Sequence, residues 1–258
     1  MNILGHSYIA VKVFPEGSKN LLISGSLLPE SFPFVKDNPF TFEEIHEGGE
    51  RFLEFLSKNF PEKQDLALGM LTHSAKIGAD SFNKKIEKYA EPFREKLLRQ
   101  IADCSGVGLK TAEARLHNFL WLGVDFWILK EFPQFVSEIS EAIKSVDIKE
   151  ISTLLTAAFG KEEEKVKVVF RVLFREIYQP EDLTSLEGLV RIWSRQAAGL
   201  PEKDKVEVEK AIRVIEEAAS LLENNWRKTL RMVEETVGES LRLFVEKEKI
   251  TRNKGRGI

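Results

Sequence analysis

Four histidines stand at positions 6, 46, 73 and 117, and none follows His117. Imidazole nitrogens combined with carboxylate oxygens suit Zn²⁺, Mn²⁺ or Fe, so the chemistry to look for is a shared metal site. His73 lies in GMLTHSAKIGADSF, seven residues before Asp80. Seven residues are close to two helical turns, which predicts that both side chains share one helix face. That face also carries apolar neighbours. A carboxylate buried there needs a proton, a partner or a cation. A plain His–Asp hydrogen bond would also satisfy it, as would a helix break at Gly78 that leaves Asp80 in solvent.

His46 sits in FEEIHEGGERF. Each of the two glycines after it costs a helix roughly 1 kcal/mol against alanine. That cost points to close approach of another backbone or a ligand. Glu50, four residues on, shares the face of His46. His117 sits in ARLHNFLWLGVDFW, an almost wholly apolar run, where a histidine is either a satisfied core residue or a ligand. Asp125 is eight residues further and poorly aligned with it. His6, in GHSYIA, precedes an apolar stretch and a proline-rich segment. Glu30 ends GSLLPE, where Pro29 fixes the backbone just before the carboxylate. A carboxylate on such a loop suits a metal ligand or a water-activating base. Glu30, His46, His73, Asp80 and His117 are therefore ligand candidates, with Glu30 and Asp80 also the catalytic candidates; a solvated loop carboxylate at Glu30 and a surface histidine at His46 are the alternatives, and an isolated histidine such as His6 carries no role by itself.

The elements that must position them read as helices. Thr41 and Glu44 form a capping-box pattern that opens a helix over Phe42 to Phe60. A second helical region is expected from Gln64 to about Tyr89. A third starts near Pro92 and ends before Ser105-Gly106. An apolar helix runs from Lys110 to Lys130 and is closed by Pro133. Further segments are expected over Phe135 to Ser145, Asp147 to Phe159, Lys161 to Tyr178 and Ser185 to Ala198. Pro201 suits the first position of a helix that continues to about Lys249, with a break near Gly238. Residues 13–40 read as an ordered loop holding a short apolar helix over Leu21 to Leu28. The fold class is all-α: a multi-helix bundle with the metal site in residues 1–130 and a C-terminal helical region, 131–258, packed on it.

Composition fits a soluble protein with a core, at 43% hydrophobic and 31% charged residues. A net charge of −3 gives no strong field for nucleic acid. One cysteine, Cys104, excludes an internal disulfide and a CxxC site. No apolar run reaches the roughly 20 residues of a membrane span, and MNILGHSYIAVKVF lacks the basic leader of a signal peptide. A cytoplasmic location is expected. Residues 251–258 read as a frayed tail, and the C-terminal helices as a surface for homodimerisation.

The arrangement GHSYIA, GSLLPE, a helix bearing His46, GMLTH with a following acid, and RLHNF resembles the zinc-dependent phospholipase C family. That family is related in fold to single-strand nucleases of the S1/P1 type. The resemblance covers roughly residues 1 to 130. It implies an all-helical fold whose zinc cluster hydrolyses phosphodiesters. It also implies that His6, His46, His73 and His117 take the family's histidine positions and Glu30 the place of its aspartate. Two family acids are missing: Ile77 and Trp121 occupy the positions one turn after His73 and His117. One or two ions are therefore expected instead of three.

The expected substrate is a phosphoester small molecule or lipid head group, attacked by a metal-bound hydroxide. Lys76 is a candidate phosphate contact. The helical HD-type phosphohydrolases need an adjacent His-Asp pair, and no histidine here is followed by aspartate. The alternative from another class is a non-catalytic helical metal-binding or protein-interaction protein, with the charged stretch from Pro201 to Lys249 as its working surface.

Overall fold

Capping side chains start several of the helices. Thr41 accepts the Glu44 amide while the Glu44 carboxylate takes the Thr41 amide, completing the capping box. Asp147 and Ser185 cap their helices through the amides of Glu150 and Gly188. Gly106 and Gly160 end two others in the left-handed conformation. The computed structural model describes residues 2–202 and 204–255, with side chains through position 244. All regular structure among them is helical.

In chain order the main helices are α1 (Ile3–Val13), α2 (Lys19–Leu27), α3 (Phe42–His46), α4 (Gly49–Asn59) and α5 (Gln64–His73). Then come α6 (Arg94–Ser105), α7 (Leu109–Glu131), α8 (Pro133–Ser145), α9 (Ile148–Phe159) and α10 (Glu163–Arg171). The last are α11 (Leu186–Ala198), α12 (Val208–Leu222) and α13 (Trp226–Gly255). One hydrophobic cluster runs from Ile3 to Leu241, so both halves of the chain share a core. No helix among the described residues is long and apolar enough to cross a membrane.

Four expectations about the elements need correction. The run from Phe42 to Phe60 is two helices, because the chain turns at Glu47–Gly48. A Cβ on Gly48 would meet the Glu44 carbonyl and the Phe159 ring, so only glycine fits that turn. The region from Gln64 to Tyr89 is not one helix either. α5 ends at His73, and short turns follow at Ala79–Phe82 and Asn83–Glu87. Pro201 lies in a turn, and α12 begins only at Val208. The last break falls at Glu223–Asn225, not Gly238. From there α12 lies on α7 and α13 on α1. Backbone 251–255 continues α13, while 256–258, the end of the expected tail, lies outside the described residues.

The helices that carry the site cross closely. α2 and α5 meet backbone to backbone at two glycines. A Cβ on Gly25 would strike the Leu66 carbonyl, and one on Gly69 the Leu22 carbonyl. Neither obstacle is a flexible side-chain end, so alanine must push the helices apart. Gly25→Ala and Gly69→Ala are each expected to lower stability by about 3 kcal/mol in urea titrations. Gly108→Ala, whose methyl meets open space, is the control and should cost under about 1 kcal/mol. Equal losses at all three positions would refute the close-crossing account.

Candidate metal centre

All the ligand candidates except His117, which lies within α7, stand near a helix end or in a tight turn, so backbone geometry aims them. His6 lies in the first two turns of α1 and is buried. Glu30 ends the tight turn Leu28–Glu30 that follows α2. His46 and His73 are the last residues of α3 and α5. Asp80 lies in the turn Ala79–Phe82.

Backbone carbonyls fix the tautomers of two histidines. His73 Nδ1 donates to the Ser26 carbonyl at 2.7 Å, which leaves Nε2 as its free electron pair. His46 Nε2 donates to the Phe32 carbonyl at 3.1 Å, which leaves Nδ1. That carbonyl is available because Phe32 is extended inside its turn. Phe42 stacks on the other side of His46, with centroids 4.4 Å apart. The His6 and His73 rings stack at 3.6 Å. Glu47, next to His46, holds the chain after His73 by accepting the Ser74 hydroxyl at 2.6 Å and the Ala75 amide at 2.9 Å.

The free nitrogens converge on two carboxylates. His6 Nε2 lies 3.3 Å from Asp80 Oδ1 and 3.5 Å from Glu30 Oε1. His73 Nε2 lies 3.3 Å from Asp80 Oδ2, and His46 Nδ1 lies 4.0 Å from the same oxygen. Well-formed hydrogen bonds between such groups fall nearer 2.7–2.9 Å. Bonds of about 2.0–2.2 Å to a tetrahedral ion would place neighbouring ligand atoms about 3.3–3.6 Å apart. Three of the four contacts have that spacing. The nitrogens His6 Nδ1, His6 Nε2, His46 Nδ1 and His73 Nε2 are buried without a hydrogen bond of ordinary length, the Asp80 oxygens standing 3.3 Å from two of them. Buried polar atoms are normally satisfied, and a cation is one group that could supply what these lack. Two groups could each hold a metal ion: His6, Glu30 and His73, and His46, His73 and Asp80.

The ionisation states suit that role. Burial lowers His6 well below the ordinary imidazole range, with His73 adding to the effect. Burial and His73 bring His46 down to about 4. Both are thus neutral, as ligands must be. Burial opposes charge on His73 as well, but Asp80 and Glu30 outweigh it and raise the group. Burial also works against ionised Asp80, yet neighbouring positive charge and bonds to His73 and His6 hold it well below the carboxylate range. Glu30 is pushed up to about 7 by burial, with Asp80 adding to the rise and His73 opposing it.

No protein-family model, no curated protein and no solved structure matches this chain.

The function must therefore be read from the site. His117 joins neither ligand group. It lines the pocket that reaches His46, His73 and Asp80, and its Nδ1 lies 3.9 Å from Glu87 Oε1. Burial lowers it to about 4. Trp121, where the resemblance asks for an acid, donates its indole N–H to Asn83 Oδ1 at 2.8 Å. Ile77 is no longer one helical turn after His73, because α5 has ended, and it packs half-buried on the core. Lys76 is exposed and does not line the pocket.

Nothing in the amino-acid pattern singles out Gln196. Its side-chain amide donates to Glu30 Oε2 and to the Tyr178 hydroxyl, both at 3.2 Å. Nor does that pattern single out Arg115 and Asn118, which line the pocket with Asn83. Arg115 is bound to Asp204 at 3.1 Å and Glu202 at 2.8 Å, which ties the turn after α11 to the pocket mouth. A pairing between Glu30 and a residue 166 positions away leaves no local trace in sequence.

Proposed function

We propose that this chain is a metal-dependent phosphodiesterase, similar in its site to the zinc-dependent phospholipase C family. The observation that carries the reading is the convergence of three imidazole nitrogens, from His6, His46 and His73, and two carboxylates at ion-ligand spacing beside an open pocket. Zn²⁺ fits this donor set, and Mn²⁺ or Fe²⁺ is also compatible with it. One or two ions are compatible with the set, because both groups draw on His73.

A bound ion supplies a water whose pKa falls to about 7, and positive charge opposite the phosphoryl oxygens. The protein's own groups divide the remaining work. Asp80, held ionised, stays a ligand. Glu30, oriented by Gln196, would take the proton from the attacking water. The pocket of about 280 Å³ is at the small end for ligand sites, which suits a small phosphoester or a lipid head group. Phe32, Phe34 and Phe42 give it an aromatic lining for the organic part, and Asn83, Arg115 and Asn118 a polar one.

The test is hydrolysis of bis-p-nitrophenyl phosphate by purified protein stripped of metal and reloaded with Zn²⁺ or Mn²⁺. Metal-dependent turnover that EDTA abolishes is expected. Stoichiometric metal with no turnover would replace this reading by that of a closed structural ion in a non-catalytic protein. The missing acids at Ile77 and Trp121 are what favour that alternative.

A further inference from the structure

Asp125 is wholly buried on α7, eight residues past His117, and does not line the pocket. Its carboxylate accepts the Leu4 amide at 3.2 Å through Oδ2 and the Gly5 amide at 2.9 Å through Oδ1. Both amides belong to the first turn of α1, where N–H groups have no partner within the helix. Asn2 does not cap this turn with its own side chain. It donates instead to the Asn118 carbonyl on α7, at 2.8 Å. α7 thus caps α1 from across the fold.

His6 follows Gly5 directly. His46 and His73 are each tethered by a ring N–H to a backbone carbonyl, whereas the His6 ring has no such tether and its Nε2 meets the carboxylates of Asp80 at 3.3 Å and Glu30 at 3.5 Å. The aim of His6 therefore depends on the backbone of its own turn and on stacking against His73. Asp125 fixes that backbone. We propose that Asp125 is a positioning residue of the metal centre, anchoring the first turn of α1 so that His6 Nε2 is held at the ion position. The inference rests on the metal-site reading above. It assigns α7 a part in the site that does not pass through His117.

The test is a double-mutant cycle on Zn²⁺ affinity, measured by chelator competition on the full chain. Asp125→Ala is expected to weaken binding 10- to 100-fold, in the range of outer-shell changes at other metal sites. Asp125→Asn keeps one acceptor oxygen and should lose less, about 3- to 10-fold. In a His6→Ala background the further loss from either change should shrink to under about twofold. In a His46→Ala background it should persist in full. A cap that matters only to folding would lower the melting temperature and weaken binding equally in both backgrounds, which overturns the proposal. Tight Zn²⁺ binding by the wild type and unchanged binding by both Asp125 variants overturns it while leaving the metal site standing. A wild type that binds no Zn²⁺ removes the metal reading, and this inference with it. Should Asp125→Ala fail to fold, Asp125→Asn carries the same cycle.

Discussion

Replacing His73 with alanine is expected to empty the metal centre and bring phosphodiester hydrolysis to background, a fall of at least about 1,000-fold. His73 Nε2 is the one atom common to both possible ligand groups. His46→Ala leaves His6, Glu30 and His73 together, so it should weaken metal binding without abolishing it. His117→Ala should leave metal content unchanged, because His117 belongs to neither group. Metal analysis after dialysis against a weak chelator gives this order directly. His73→Ala also strands the buried Ser26 carbonyl, a cost of about 1–3 kcal/mol. Circular dichroism and a melting curve therefore accompany the measurement. If the folded His73→Ala protein retains full metal, the shared site does not exist. If His117→Ala loses metal as completely as His73→Ala, the ligand set extends beyond the five residues assembled here.

The route to Asp80 shows how far sequence periodicity reaches. Seven-residue spacing predicts that His73 and Asp80 share a helix face. They do meet, at 3.3 Å, but not on one helix. α5 stops at His73, Glu47 holds the chain beyond it, and Gly78 lets the backbone turn before Asp80 comes back to the site. A Cβ at Gly78 would collide with the backbone of Thr72, His73 and Ser74, so the return depends on that glycine. The helix break foreseen as the alternative does occur, yet it brings Asp80 in instead of releasing it to solvent. Capping at Thr41 and Asp147 was legible because those contacts are three residues long. Gln196 on Glu30, Trp121 on Asn83 and Asp125 on α1 were not, because each is a tertiary contact that no periodicity encodes. The same limit applies to His117. Its type and apolar setting resemble those of a ligand, but only the packing of α7 decides which groups it can reach.

Metal affinity is expected to rise with pH through about 7, by up to about 100-fold per unit on the acid side. The sign follows from which groups carry protons in the empty site. His6 and His46 are already neutral near pH 6, because burial lowers both. Asp80 is already ionised, because the charges and donors around it outweigh its burial. Glu30 and His73 differ. Burial lifts Glu30 to about 7, and Asp80 with Glu30 raises His73 above its usual value of 6.5. Below these values both are protonated, and an ion must displace both protons. Each displaced proton makes affinity tenfold weaker per unit of acidification, or about 1.4 kcal/mol. Calorimetric titration of Zn²⁺ at pH 6 in buffers of different ionisation enthalpy should register close to two protons released, and fewer at pH 8, where Glu30 is already ionised. Glu30→Gln has no proton to lose there, so it should cut the release at pH 6 to about one and flatten the profile. It should also abolish hydrolysis, since the water would have no base. Affinity independent of pH between 5.5 and 8 would mean that Glu30 and His73 are not both ligands.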